Sequence, residues 1–278
     1  MRNVILLPAL ALAGGFGGFL LRSWELSSAF EASGLVVPRA PATTALVVLS
    51  LLVAAVFILL CRKPKCALQG YDDAFAVPNY GLYLPVIAAA CLCLLLAGLL
   101  GLRDAFSGGT RSLLRLLLWV LCLVSFVCVL MTALASLRGR RKHPGILLVP
   151  AYTFCVWLVV AYQKRAADPA VVDYMYELFA IICAMLAFYF TAGFSFSKIK
   201  VWPCSVFCLL SVYFGIVTLA DDHETGQRLL VLFCILDQLA TGGVLLYNAF
   251  AVKPRRLLKD GRMPDRAENE TEKDGPAK

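Results

Sequence analysis

The 278-residue chain is 60% hydrophobic and 16% charged, with a mean hydropathy of +0.79 and a formal net charge of +8. Soluble domains run about 45–50% apolar and about 25% charged, so this composition argues against a water-soluble fold. The basic excess makes no case for nucleic acid, whose binders gather basic residues on a soluble face.

Apolar blocks alternate with short polar stretches, and about 20 apolar residues carry a helix across about 30 Å of hydrocarbon. A barrel strand needs only about 10 residues in strict alternation, and no such alternation is present. The expected fold is therefore all-α: a polytopic transmembrane helix bundle of about eight spans over residues 1–251, with a short charged tail at 252–278 expected to be disordered. The spans are drawn at 4–21, 44–61, 82–102, 113–137, 146–162, 174–194, 202–220 and 229–250.

The first span follows Met1-Arg2 and contains Ala11-Leu12-Ala13, a start like that of a signal peptide. Cutting after Ala13 leaves an apolar core of only about seven residues, so a retained first helix is expected. Gly14 and Gly18 give a GxxxG spacing that lets two membrane helices come close. The loop at 22–43 holds Arg22 and Arg39, with Trp24 and Phe30 suited to the lipid interface.

Spans two and three enclose an inner loop too short for a core of its own. Small-residue stripes then recur. Span three has Ala90, Cys93, Ala97 and Gly101; span four has Cys122, Ser125, Cys128, Thr132 and Ser136; span seven has Cys204, Cys208, Ser211, Gly215 and Thr218. Lipid supplies little drive for helix association, so such faces close the helices together. They predict a compact bundle and do not of themselves predict a pore.

Span five is short, with Pro150 in its first turns, where helix N–H groups have no partner to lose. Before span six, Asp168-Pro169 reads as an N-cap followed by a first-turn proline. Tyr174 and Tyr176 would mark the interface and Glu177 lies about one turn inside. Glu177 is expected either to reach water or to face Asp237 across a vestibule. Its own face continues through Ala180, Ala184 and Thr191.

The turn before span eight reads Asp221, Asp222, His223, Glu224. Three carboxylates and an imidazole could gather a divalent cation, but consecutive residues in a tight turn rarely point at one ion. No metal or cofactor is assigned.

Span eight carries the sharpest signal, Asp237. Arg228 and Lys253 lie about 13 Å and about 24 Å away along a straight helix, too far to pair with it easily. An ionised Asp at such depth costs at least about 3 kcal/mol, so Asp237 is expected to face the bundle interior, with protonation as one way to shed the charge. Cys234, Asp237, Thr241 and Asn248 share a face, and Gln238 adds an amide. The acid reads either as a proton- or cation-coupling site or as glue hydrogen-bonded to Tyr152, Thr153, Ser211 or Tyr213 of a neighbouring helix.

Of the 26 Lys and Arg residues, 25 lie outside the eight drawn spans and Arg115 lies at the outer edge of the fourth, counted here with the outer loop. With the N-terminus inside, inner segments hold 18 of them and outer loops 8, or 10 against 8 without the tail. The positive-inside rule then puts both termini in the cytoplasm, in a cell membrane. No cysteine falls in an outer loop and no Cys-x-x-Cys pair exists, so neither a disulfide framework nor a zinc or redox spacing is expected.

Enzyme signatures mostly fail. Aspartyl proteolysis needs two acids sharing a proton, and only Asp237 is deep. Zinc proteolysis needs paired histidines, whereas His143 and His223 are expected on opposite sides of the membrane. Three readings remain, in order: a non-catalytic component such as a sensor, scaffold or complex subunit; a small-solute or ion transporter coupled through Asp237; and an enzyme with an unfamiliar site. The partners expected are the lipid bilayer and a protein contacting the tail or the small-residue faces, with no nucleic acid.

Overall fold

The computed structural model describes residues 2–29, 40–62, 68, 70–107, 112–137, 145–165 and 171–250. The helices are α1 (Arg2–Ser28), α2 (Pro41–Cys61), α3 (Tyr71–Ala74), α4 (Tyr80–Ser107) and α5 (Leu113–Leu137). After a 3₁₀ turn at Ile146–Leu148 come α6 (Val149–Arg165), α7 (Val171–Ser195), α8 (Val201–Thr218) and α9 (Thr225–Phe250). Among the described residues the structure is all-helical, and eight of its helical segments are long and apolar enough to cross a membrane.

Several helices outrun the apolar blocks that announced them. The first candidate span reaches Ser28, the third covers Tyr80–Ser107 and the eighth starts at Thr225. A block length measures hydrocarbon thickness. The helix itself continues for as long as its backbone bonds stay inside it. This corrects one placement: Arg22, read as a loop residue, is in α1 and fully buried.

Consecutive long helices run in opposite directions. Gly101 of α4 sits under Trp119 of α5, and Gly98 under Leu123. Gly215 of α8 faces Ile235 of α9, and Gly242 faces Cys208. In contrast α1 and α8 run parallel, since Gly14 approaches Tyr213 and Gly18 approaches Val217. Residues 2 and 250 thus lie at one end of the bundle, the near end, and the α8–α9 turn lies at the far end.

The helices divide into a peripheral and a central set. In α2 the buried residues Ala42, Leu46, Ser50, Val53, Phe57 and Cys61 recur every three or four positions, while Leu51, Leu52 and Leu59 point outward. One stripe touches protein and the rest is apolar surface suited to lipid. By comparison thirteen of the eighteen residues of α8 are buried. The small residues of α8 explain its central place, because they admit neighbours on several sides. The glycines of α1 meet it directly: a Cβ on Gly18 would come within 2.6 Å of Val217. The GxxxG spacing is therefore spent inside the chain.

Two short features finish the near end. The α7–α8 turn places Ser197 at a φ of 59°, and Lys198 donates its backbone N–H to the Gly193 carbonyl at 3.0 Å, a left-handed helix stop. The segment at 70–79 also folds back into the bundle. There α3 and Phe75 pack inward, and the Asn248 side-chain amide donates to the carbonyls of Ala74 and Ala76, both at 2.9 Å. Phe75 meets the ring of Tyr71 at 4.8 Å and that of Phe194 at 5.4 Å.

Candidate functional site

Two polar regions lie inside the bundle, and they differ in kind. At the far end, Arg22 of α1 is fully buried. Its Nε donates to Asp221 Oδ1 at 2.7 Å and its Nη1 donates to Glu25 Oε2 at 2.7 Å. The Thr218 hydroxyl donates to the other oxygen of Asp221 at 2.8 Å. His223 Nε2 lies 2.8 Å from the Thr218 carbonyl. A carbonyl only accepts, so that nitrogen carries the proton. The guanidinium also stands 5.3 Å above the Tyr176 ring, a cation–π distance. This cluster ties the first helix to the last hairpin across 199 positions of sequence.

The second region surrounds Asp237. It is buried midway along α9, twelve residues from Thr225 and thirteen from Phe250. Gln238 Nε2 donates to Asp237 Oδ2 at 3.3 Å, while the Thr241 hydroxyl donates to the Asp237 backbone carbonyl at 2.7 Å. Among the described residues no Lys, Arg or His pairs with this acid. Gln238 Oε1 is buried without a hydrogen-bond partner among the described residues.

Asp237 opens onto a cavity of about 40 Å³ in the near half of the bundle. A single water needs about 10–15 Å³, so roughly three water-sized groups fit. The polar wall comprises Asp237, Thr241, Thr132, Ser136 and Thr191. Tyr71 and Phe75 of the α3 segment and Tyr83 of α4 close the near end, and Phe188 the opposite side. Burial, with Tyr83 and Asp237 close by, holds the Tyr71 phenol well above its usual range, so it stays a neutral hydroxyl. Beside Phe188 of the cavity wall lies a cluster of aromatic rings. The Phe188 ring stacks on Phe233 at 6.0 Å and on Phe154 at 5.3 Å, and Phe154 meets Trp157 at 5.4 Å.

The residues singled out from the sequence scatter across these regions. Asp237 and Thr241 line the cavity. Gln238 touches the acid from the side. Asn248 instead pins α3 in place. Glu177 is buried rather than reaching water, and it lies eleven residues, about 16 Å, up α7 from Phe188 of the cavity wall. The structure does not bring Glu177 and Asp237 together.

None of the four proposed glue partners bonds to Asp237. Tyr152 is exposed, Thr153 bonds to Ser125 at 2.6 Å, and Tyr213 bonds to Ser50 at 2.9 Å. Ser211 is buried with its hydroxyl turned elsewhere. The α5 stripe also departs from a pure packing face. Cys122 and Ser125 are buried in the bundle, but Cys128, Thr132 and Ser136 line the cavity.

The acidic turn disperses. Asp221 goes to Arg22, His223 to Thr218, Glu224 to Arg115 at 2.7 Å, and exposed Asp222 to Arg228 at 3.2 Å. Among the described residues no three His, Cys, Asp or Glu side chains converge as metal ligands. The ten described cysteines are free thiols. Cys66, Phe30, Asp168-Pro169, His143 and the tail at 252–278 lie outside the described residues.

Sequence reasoning missed Arg22, Glu25, Tyr71 and Tyr83. The only local hint was the Arg22–Glu25 spacing of three, which favours a pair on one helix face.

The fold defines a multi-pass α-helical membrane protein with eight candidate spans. No protein-family model, no curated protein and no solved structure matches the chain.

Proposed function

We propose that this protein is a carrier for a small solute or ion, with Asp237 as its coupling acid. One observation carries the reading: a mid-helix carboxyl, without a basic partner among the described residues, stands on the wall of a cavity of about 40 Å³. A charge at that depth costs at least about 3 kcal/mol on insertion scales. A proton or a bound cation removes that cost, and exchange of one for the other is what coupling requires. Aromatic rings also stand between the cavity and the far-end ion cluster, Phe188 stacking on Phe154 and Phe233, which supports a barrier on that side of the acid.

The test uses proteoliposomes holding a pH gradient, challenged in turn with Na⁺, K⁺, an amino-acid mixture and tetramethylammonium. At least one is expected to dissipate the gradient with the wild-type protein and not with Asp237→Asn of equal thermal stability. Equal dissipation by both proteins, or none by either, overturns the carrier.

A further inference from the structure

We infer that the ligand of the Asp237 cavity is a small primary alkylammonium ion, an inference that rests on the carrier reading's choice of Asp237 as the binding acid. Charge comes first. The cavity presents one carboxyl, and no Lys, Arg or His among the described residues pairs with it. A cation is the complement of such a site.

Coordination then separates metal from organic cations. Hard metal ions take about six oxygen ligands. Here the wall offers one anionic ligand, Asp237, and the hydroxyls beside it remain neutral acceptors, their protons going elsewhere: Thr241 donates to a backbone carbonyl at 2.7 Å and Ser136 to the Thr132 carbonyl at 3.0 Å. The wall suits an ammonium better. Four aromatic rings, Tyr71, Phe75, Tyr83 and Phe188, stand around the same space, and ring faces attract ammonium groups, more so when water is excluded. An –NH₃⁺ group has three donors, which the Asp237 carboxylate and the hydroxyl oxygens of Thr241 and Ser136 can accept.

Size and polarity complete the ligand. Ile87, Val129, Ala133 and Val244 supply an apolar wall for an alkyl group. The volume of about 40 Å³ admits roughly three water-sized groups, which matches the three heavy atoms of ethylammonium. Larger amines require the α3 segment, held by Asn248, to move aside.

The experiment measures thermal unfolding of the full chain in detergent with ethylammonium chloride, against equal concentrations of KCl and of ethanol, its uncharged counterpart of the same size. A ligand that binds only the folded state raises its thermal midpoint with concentration. Ethylammonium is expected to raise the midpoint where K⁺ and ethanol do not. Asp237→Asn is expected to weaken the apparent affinity at least tenfold. Ala133→Leu, which fills the cavity and keeps the acid, is expected to do the same, so the test survives if one variant fails to fold. Equal shifts from ethanol or K⁺, or an unchanged shift in either folded variant, overturn the ligand class. The two proposals fail separately. Flux dependent on Asp237 with Na⁺ but no ethylammonium binding removes only the ligand class. Ethylammonium binding lost in Asp237→Asn without any flux removes only the carrier.

Discussion

Asp221 and Asp237 are both buried acids, at 4% and 3% exposure, and both belong to the hairpin formed by α8 and α9. Asp221 has Arg22 at 2.7 Å and Thr218 at 2.8 Å, so both its oxygens are occupied by the protein. Asp237 has one long contact from Gln238, at 3.3 Å, and a cavity. The first is a charge completed by the fold and the second is a charge left open by it. Burial alone therefore does not tell the two acids apart; the presence or absence of a counter-charge does. The packing follows the same division, since the far end closes with Gly101 and Gly226 against Trp119, whereas the near half leaves room.

The contrast predicts a graded set of effects. Arg22→Ala leaves Glu25 and Asp221 buried without their cation. It is expected to cost about 3–5 kcal/mol, seen as a sharp fall in thermal midpoint and folded yield in detergent. Replacing Arg22, Glu25 and Asp221 together by Leu is expected to recover most of that loss, because apolar packing substitutes well for a complete buried ion cluster. A triple variant as unstable as the single one would show that the cluster does more than neutralise itself.

Gly101→Ala places a methyl group against the Trp119 ring and is expected to destabilise by about 1–3 kcal/mol, as overpacking does. Ala133→Val adds carbon at the cavity wall instead and is expected to change the same midpoint by under about 1 kcal/mol. Equal losses would mean that the two ends are packed alike.

Asn248→Ala removes the donor shared by the Ala74 and Ala76 carbonyls. An expected loss of about 1 kcal/mol would appear chiefly as faster amide exchange at residues 70–79, with α1 and α8 unchanged.

Asp237→Asn is expected to have the smallest effect on folding, within about 1 kcal/mol of wild type, because no ion pair is broken. A loss as large as that of Arg22→Ala would give Asp237 a structural role and erase the contrast with Asp221.

Much of the architecture was legible before any coordinates. The eight spans were readable because a backbone in lipid must bond to itself, which turns each apolar block into a helix. Asp237 was readable because a charge in the middle of such a block is costly wherever the helix packs. The α1 glycines announced a close approach, though not that the neighbour is α8.

Other features were out of reach of local reasoning. Arg22 follows the apolar run at once and so looked like a charge at a helix end; only the arrival of Asp221 from 199 positions away makes it a core residue. The segment at 71–75 has no apolar block, and its place over the cavity depends on Asn248 from the last helix. The Asp221–Glu224 turn is contiguous in sequence, while its four side chains go to residues of four helices, α1, α9, α8 and α5.

What the amino-acid sequence determined by itself was the number of crossings and the depth of one acid, both consequences of transfer energies that act residue by residue. What the tertiary structure alone decided was which buried acid meets a guanidinium and which meets a cavity. That depends on distant segments converging, because an ion pair or a cavity is a property of several helices at once.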